Sequence, residues 1–137
     1  MAANNNPIFV KTVRASWVST GTSANTARDG TGTVATVFTA DATNGSKIED
    51  VVLEHLGSNV QTVVRFFINN GSTNATAANN SLVHEETMLA NTLDNTAASF
   101  PIIWKANMVL PAGYKLNVVI GTAIASGIQV TALGGDY

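Results

Sequence analysis

The segment Gln61–Asn69 (Gln-Thr-Val-Val-Arg-Phe-Phe-Ile-Asn) constrains the fold more than any other stretch of the chain. Period-two alternation sets Val64, Phe66 and Ile68 on one face and Val63, Arg65 and Phe67 on the other. Both faces carry large apolar groups, so the segment reads as a central strand covered on both sides. Asn70-Gly71 follows, a pair that tolerates the positive φ of tight turns, and the polar run to Asn80 reads as a wide loop.

The same alternation recurs along the chain. It predicts strands over 8–18, with a bulge or bend near Ser16, and over 32–40, 46–57, 61–69, 81–89, 99–108, 114–121 and 127–133. The segment 46–57 is ambiguous: Ile48, Val52 and Leu56 fit a strand face, whereas Ile48, Val51, Val52 and Leu56 fit a helical stripe. Two valines in a row and a strand on either side favour the strand. The best amphipathic strand sets Phe100, Ile102, Trp104, Ala106 and Met108 on one side, with Pro101 at its start, where a missing donor harms least. Ser19–Thr31 and Asn91–Ala97 read as loops, and Leu110-Pro111-Ala112-Gly113 as a type I turn.

No amphipathic helix of three turns is predicted. Eight antiparallel strands in one domain imply an all-β fold, a β-sandwich closed most simply as an eight-stranded jelly roll. An immunoglobulin-like sandwich fits the strand count but has shorter loops. The sandwich is expected over 8–137, behind a polar, Asn-rich flexible arm over 1–7. Phe38, Phe66, Phe100, Ile102, Trp104, Val118 and Ile128 are the expected core, each worth roughly 1.5–3 kcal/mol when fully buried.

Seven basic and nine acidic side chains give a net charge of −2 with no Lys/Arg cluster, so nucleic acid is not an expected partner. Cysteine is absent, which excludes disulfides and thiolate metal sites. No export signal is visible and no apolar run approaches the roughly 20 residues that span a bilayer, so the expectation is synthesis in the cytosol with no membrane association. The surface implied by so few charges is neutral polar or apolar, which suits permanent contact with other subunits.

The candidates for chemistry are few. His84-Glu85-Glu86 is the densest titratable cluster, but it lacks His-Glu-x-x-His spacing, and a strand sends His84 and Glu85 to opposite faces. A polar group on an edge strand is the favoured reading. His55 lies in another segment. Asp29-Gly30-Thr31-Gly32 has neither a following helix nor a Gly-Lys-Ser/Thr, so it reads as a turn and not a phosphate loop. Arg28 and Asp29 read as a solvated pair, with an anchor to a neighbouring subunit as the alternative. Glu54 with Glu86 as paired carboxylates, and Asp41 with Asn44 as calcium ligands, have suitable atoms but no defining spacing. No catalytic residues, no cofactor and no metal are therefore expected, and the chain reads as a non-enzyme. Trp104 reads as core, and Trp17 as an interface or loop-packing residue.

Six short motifs then appear in order: Arg28-Asp29-Gly30-Thr31-Gly32, Gly45-Ser46-Lys47-Ile48-Glu49, Val64-Arg65-Phe66-Phe67-Ile68, Leu82-Val83-His84-Glu85, Leu110-Pro111-Ala112-Gly113 and Gly134-Gly135-Asp136-Tyr137. Their order and spacing over residues 25–137 resemble a family of small structural proteins of tailed-bacteriophage virions. The resemblance implies a capsid decoration, or cement, protein made in the host cytoplasm, trimeric, and bound to the major capsid protein on the head surface. It also admits a tail or fibre component with a receptor-binding β-sandwich. A secreted carbohydrate-binding jelly roll is a third class, with Trp17, Tyr114 and Tyr137 as the only candidate platforms.

Overall fold

β-Branched and aromatic residues at alternate positions build nine strands in the computed structural model, which describes residues 9–137. They are β1 (Thr12–Thr20), β2 (Ala35–Thr39), β3 (Ser46–His55), β4 (Thr62–Asn69), β5 (Asn80–Met88), β6 (Ile102–Trp104), β7 (Met108–Leu110), β8 (Lys115–Ile120) and β9 (Ile128–Asp136). One short 3-10 turn, Ala77–Asn79, precedes β5. The expected arm over 1–7 and the first residue of the expected first strand lie outside the described residues.

Two antiparallel sheets pack face to face. The five-stranded sheet runs β1-β9-β3-β6, with β7 also on β3, and the four-stranded sheet runs β2-β8-β4-β5. Between them lies a core that includes Phe38, Ile48, Val51, Leu53, Val64, Phe66, Leu116, Val118, Ile128 and Val130. The all-β sandwich expected from the sequence is what the chain forms.

The Gln61–Asn69 segment is central, as read: β4 pairs with β5 on one side and β8 on the other. Its Val64/Phe66 face enters the core, while Phe67 on the opposite face is also buried, beside Asn117 and Val119. The 21–34 segment is fastened across that outer face by the Asn25 amide, which donates to the Ile120 carbonyl at 2.8 Å, and by Arg28, which reaches Glu85.

The differences from the sequence expectation are local. The expected strand over 99–108 is two short strands, because β3 carries a bulge between Ile48 and Asp50 and the chain opposite must step to follow it. β6 pairs with 51–53 and β7 with 46–48, while Asn107 between them takes a φ of 42° and donates to the Glu49 carbonyl. Ile102, Trp104, Ala106 and Met108 keep the expected inward face, but Phe100 is 88 % exposed and is not core. The same bulge shifts the inner face of β3 to Ile48, Val51 and Leu53, leaving Leu56 exposed. β1 pairs with β9 in unbroken register through Ser16, so the expected irregularity there is absent; the Ser16 hydroxyl instead donates to the Val37 carbonyl at 2.7 Å. The Leu110 turn sits one residue later: Tyr114 donates to the Pro111 carbonyl and Gly113 has a φ of 74°, the type II arrangement.

Candidate functional site

β1 is amphipathic in the unexpected sense. Its polar parity, Arg14 and Ser16, turns toward β2, where Arg14 donates to Asp136 at 2.8 Å and to the Thr39 carbonyl at 3.1 Å and lies over the Phe38 ring. Its other parity, Val13, Ala15 and Trp17, is exposed, with Trp17 65 % accessible. The polar groups of the inward parity close the sandwich edge while Val18 on that parity packs on the core, and Val13, Ala15 and Trp17 face solvent.

The register carries that apolar side across the whole five-stranded sheet. Trp17 lies opposite Thr131, Thr131 opposite Val52, and Val52 opposite Ile103, forming one row four strands wide. A second row runs Val13, Gly135, Lys47, Val109, and between the two rows Leu133 sits between Ala15 and Asp50. Ile103 and Val109 are each more than half exposed. Two ion pairs lie on this face, Lys47 with Glu49 at 2.8 Å and Lys105 with Asp50 at 2.9 Å, while Glu54 on the same face has no ion-pair partner among the described residues. An uncovered sheet face of this kind, largely apolar between the Val13 and Trp17 rows and bordered by the polar row Ser19, Gln129, Glu54, has the chemistry of a contact surface.

The polar candidates are dispersed. His84 faces between the sheets and stacks on Trp104, with ring centroids 4.3 Å apart and planes 6° from parallel. Its Nε2 lies 3.2 Å from Glu86. Glu85 faces the opposite side, as strand geometry requires, and there receives Arg28 at 2.9 Å and Arg65 at 2.8 Å. The Arg28 guanidinium first, and Arg65 second, hold the Glu85 carboxyl below the ordinary carboxylate range, and Glu85 in turn raises Arg28. Arg28 therefore anchors its own loop through Glu85 and forms no pair with Asp29, the partner read for it from the sequence.

Asp29 caps its own turn, accepting from the backbone amide and hydroxyl of Thr31, which hold its carboxyl low. Gly30 and Gly32 take φ of 78° and 80°, so this stretch is a turn into β2. Asp41 likewise accepts the amides of Asn44 and Thr43, both at Oδ1, which lowers its carboxyl and makes it the cap of its own turn. Glu54 projects from the outer face of β3 while Glu86 faces inward from β5, so these carboxylates do not oppose one another. Among the described residues no three His, Asp or Glu side chains converge as a metal site. Of the aromatic candidates, Tyr114 packs on the core and Trp17 is exposed.

The exposed sheet face and the Arg28–Glu85–Arg65 cluster both escaped the sequence reading. The first had a signal in Val13, Ala15 and Trp17, three non-polar residues on one parity with Arg14 and Ser16 on the other. The second had none, because its partners are 57 residues apart. No protein-family model, curated protein or solved structure matches this chain.

Proposed function

We propose that this chain is a non-enzymatic structural subunit of a tailed-bacteriophage virion, a capsid decoration protein that binds the major capsid protein lattice and stabilises the head. The observation that carries the reading is the apolar outer face of the five-stranded sheet, centred on Trp17, Val52, Ile103 and Leu133. Strand spacing and rise make that face roughly 19 Å by 30 Å. Covering it, together with its mate on a partner, removes on the order of 1,000 Å² from water, the size class of a specific contact.

A largely neutral, flat partner surface fits it, because Lys47–Glu49 and Lys105–Asp50 are paired and leave Glu54 at the border of the apolar rows as the one outward β3 charge without an ion pair among the described residues. Three copies around a lattice axis would multiply modest individual affinities into firm retention. The order of strands in the two sheets supports the jelly-roll reading, with β6 and β7 as halves of one broken strand.

The test is co-sedimentation of the purified chain with expanded capsids that lack it, alongside Trp17→Glu and Ile103→Lys. Retention of the wild type and loss in both variants supports the reading. A chain that stays in the supernatant, or that labels the tail of intact particles, overturns it.

A further inference from the structure

The sandwich has a second feature, independent of the assembly face: a cavity of about 270 Å³ at the open side between the sheets, where the ends of β3 and β5 meet the segment 89–102. Leu89, Phe100 and Ile102 supply apolar walls, and His55 and Glu86 supply polar ones. The carboxylate of the polar wall is held in place before anything binds. Glu86 is joined to His84, and His84 is fixed by its stack on Trp104, which itself tilts against Phe66 at 5.0 Å.

His55 is the unexplained group. Both its ring nitrogens are shut off from solvent and have no hydrogen-bond partner among the described residues. A neutral imidazole carries one donor and one acceptor, and leaving them unmatched in a protein interior is unfavourable. A ligand that brings a donor to this wall, with a turn of the ring toward it, satisfies the acceptor nitrogen, half of that defect.

We propose that this cavity is a binding site for a primary amine carried on a single aromatic ring by a short chain. The ammonium donates to the Glu86 carboxylate and to the acceptor nitrogen of His55, and the ring packs between Leu89, Phe100 and Ile102. The volume sets the size class. A cavity of about 150 Å³ holds benzene, so this one takes a ring and a two-carbon arm, and it falls just short of the roughly 300 Å³ at which drug-sized pockets begin. The carboxylate sets the charge, since it discriminates an ammonium from a hydroxyl of the same shape.

The test titrates the full chain with phenethylamine and, separately, with 2-phenylethanol, following backbone and imidazole resonances by NMR. Saturable shifts confined to His55, Glu86–Asn91 and Phe100–Ile102 are expected with the amine. Glu86→Gln should weaken them about tenfold, the value of one charge-assisted hydrogen bond. Ala90→Phe, a substitution at an exposed rim position, should abolish them while leaving the melting temperature in place, and it keeps the test decisive if Glu86→Gln does not fold. Equal binding of the alcohol, shifts spread over the surface, or no response to the amine overturns the proposal.

Discussion

Arg28 grips Glu85 with two nitrogens, at 2.8 and 2.9 Å, and so ties the 21–34 loop to the edge strand of the four-stranded sheet. Because Arg28 and Arg65 hold the Glu85 carboxyl below its ordinary value, their contribution is complete above the ordinary carboxylate range. It is lost as pH falls through the lowered value. Asp29, Asp41 and Asp94, each lowered by hydrogen bonds within its own turn, act in the same direction. The melting temperature should therefore decline once pH drops below about 4. Glu85→Gln should flatten part of that decline and speed exchange of the Asn25 amide. An acid limb identical to wild type in Glu85→Gln would remove Glu85 from the account.

The same loop hangs on asparagine. Asn74 donates to the carbonyls of Gly30 and Gly32 at 3.2 and 2.8 Å, and Asn25 donates to those of Thr31 and Thr33 at 2.9 and 2.8 Å. Asn74→Ala should cost about 1 kcal/mol, since of the two freed carbonyls that of Gly30 is part-buried and that of Gly32 is open to water. Gly30→Ala should cost more, because its φ of 78° is strained for any side chain and a Cβ would meet Asn80 at 2.6 Å. Urea midpoints with unchanged slope measure both. A Gly30→Ala protein as stable as wild type would contradict the loop packing.

Gly134 sits where β9 passes β3 at closest approach: a Cβ there would lie 2.0 Å from the Lys47 carbonyl oxygen. Backbone cannot swing aside as a side chain can, so Gly134→Ala must part the β3–β9 ladder that centres the five-stranded sheet. The expected loss is in the upper range for single substitutions, about 3 kcal/mol or more. Soluble expression with an unchanged melting temperature would show that the ladder relaxes there at little cost.

Alternation was enough to find the sandwich because burial on a pleated sheet imposes period two. Phe66, Val118 and Ile128 stand in the core for that reason. What alternation does not encode is a change of phase. The extra residue at Glu49 in β3 broke the expected strand over 99–108 into β6 and β7, and it changed which of Val51 and Val52 faces in. Phe100 misled for a related reason: it matches the parity of Ile102 but lies before pairing with β3 begins, so nothing covers it. The Glu85 cluster depends on a contact between distant segments, which no local pattern carries. Trp17 was legible as a residue outside the core, whereas the row joining it to Ile103 needed the register of four strands.

That row yields the last prediction. Trp17 is 65 % exposed and Ile103 53 %, so replacing either with a charged residue disturbs little internal packing and should change stability by no more than about 0.5 kcal/mol. The effect should fall on association instead, with Trp17→Glu and Ile103→Lys reducing retention on its partner surface. With Lys47 and Lys105 both paired on this face, the proposed contact would draw mainly on apolar burial. Retention should thus hold across a roughly tenfold range of salt, where a charge-steered contact would fail, and weaken on cooling. Sedimentation of the chain with capsids at varied salt and temperature separates the two cases. Release by salt alone would assign the contact to a charged surface and leave the Trp17 row without a role in it.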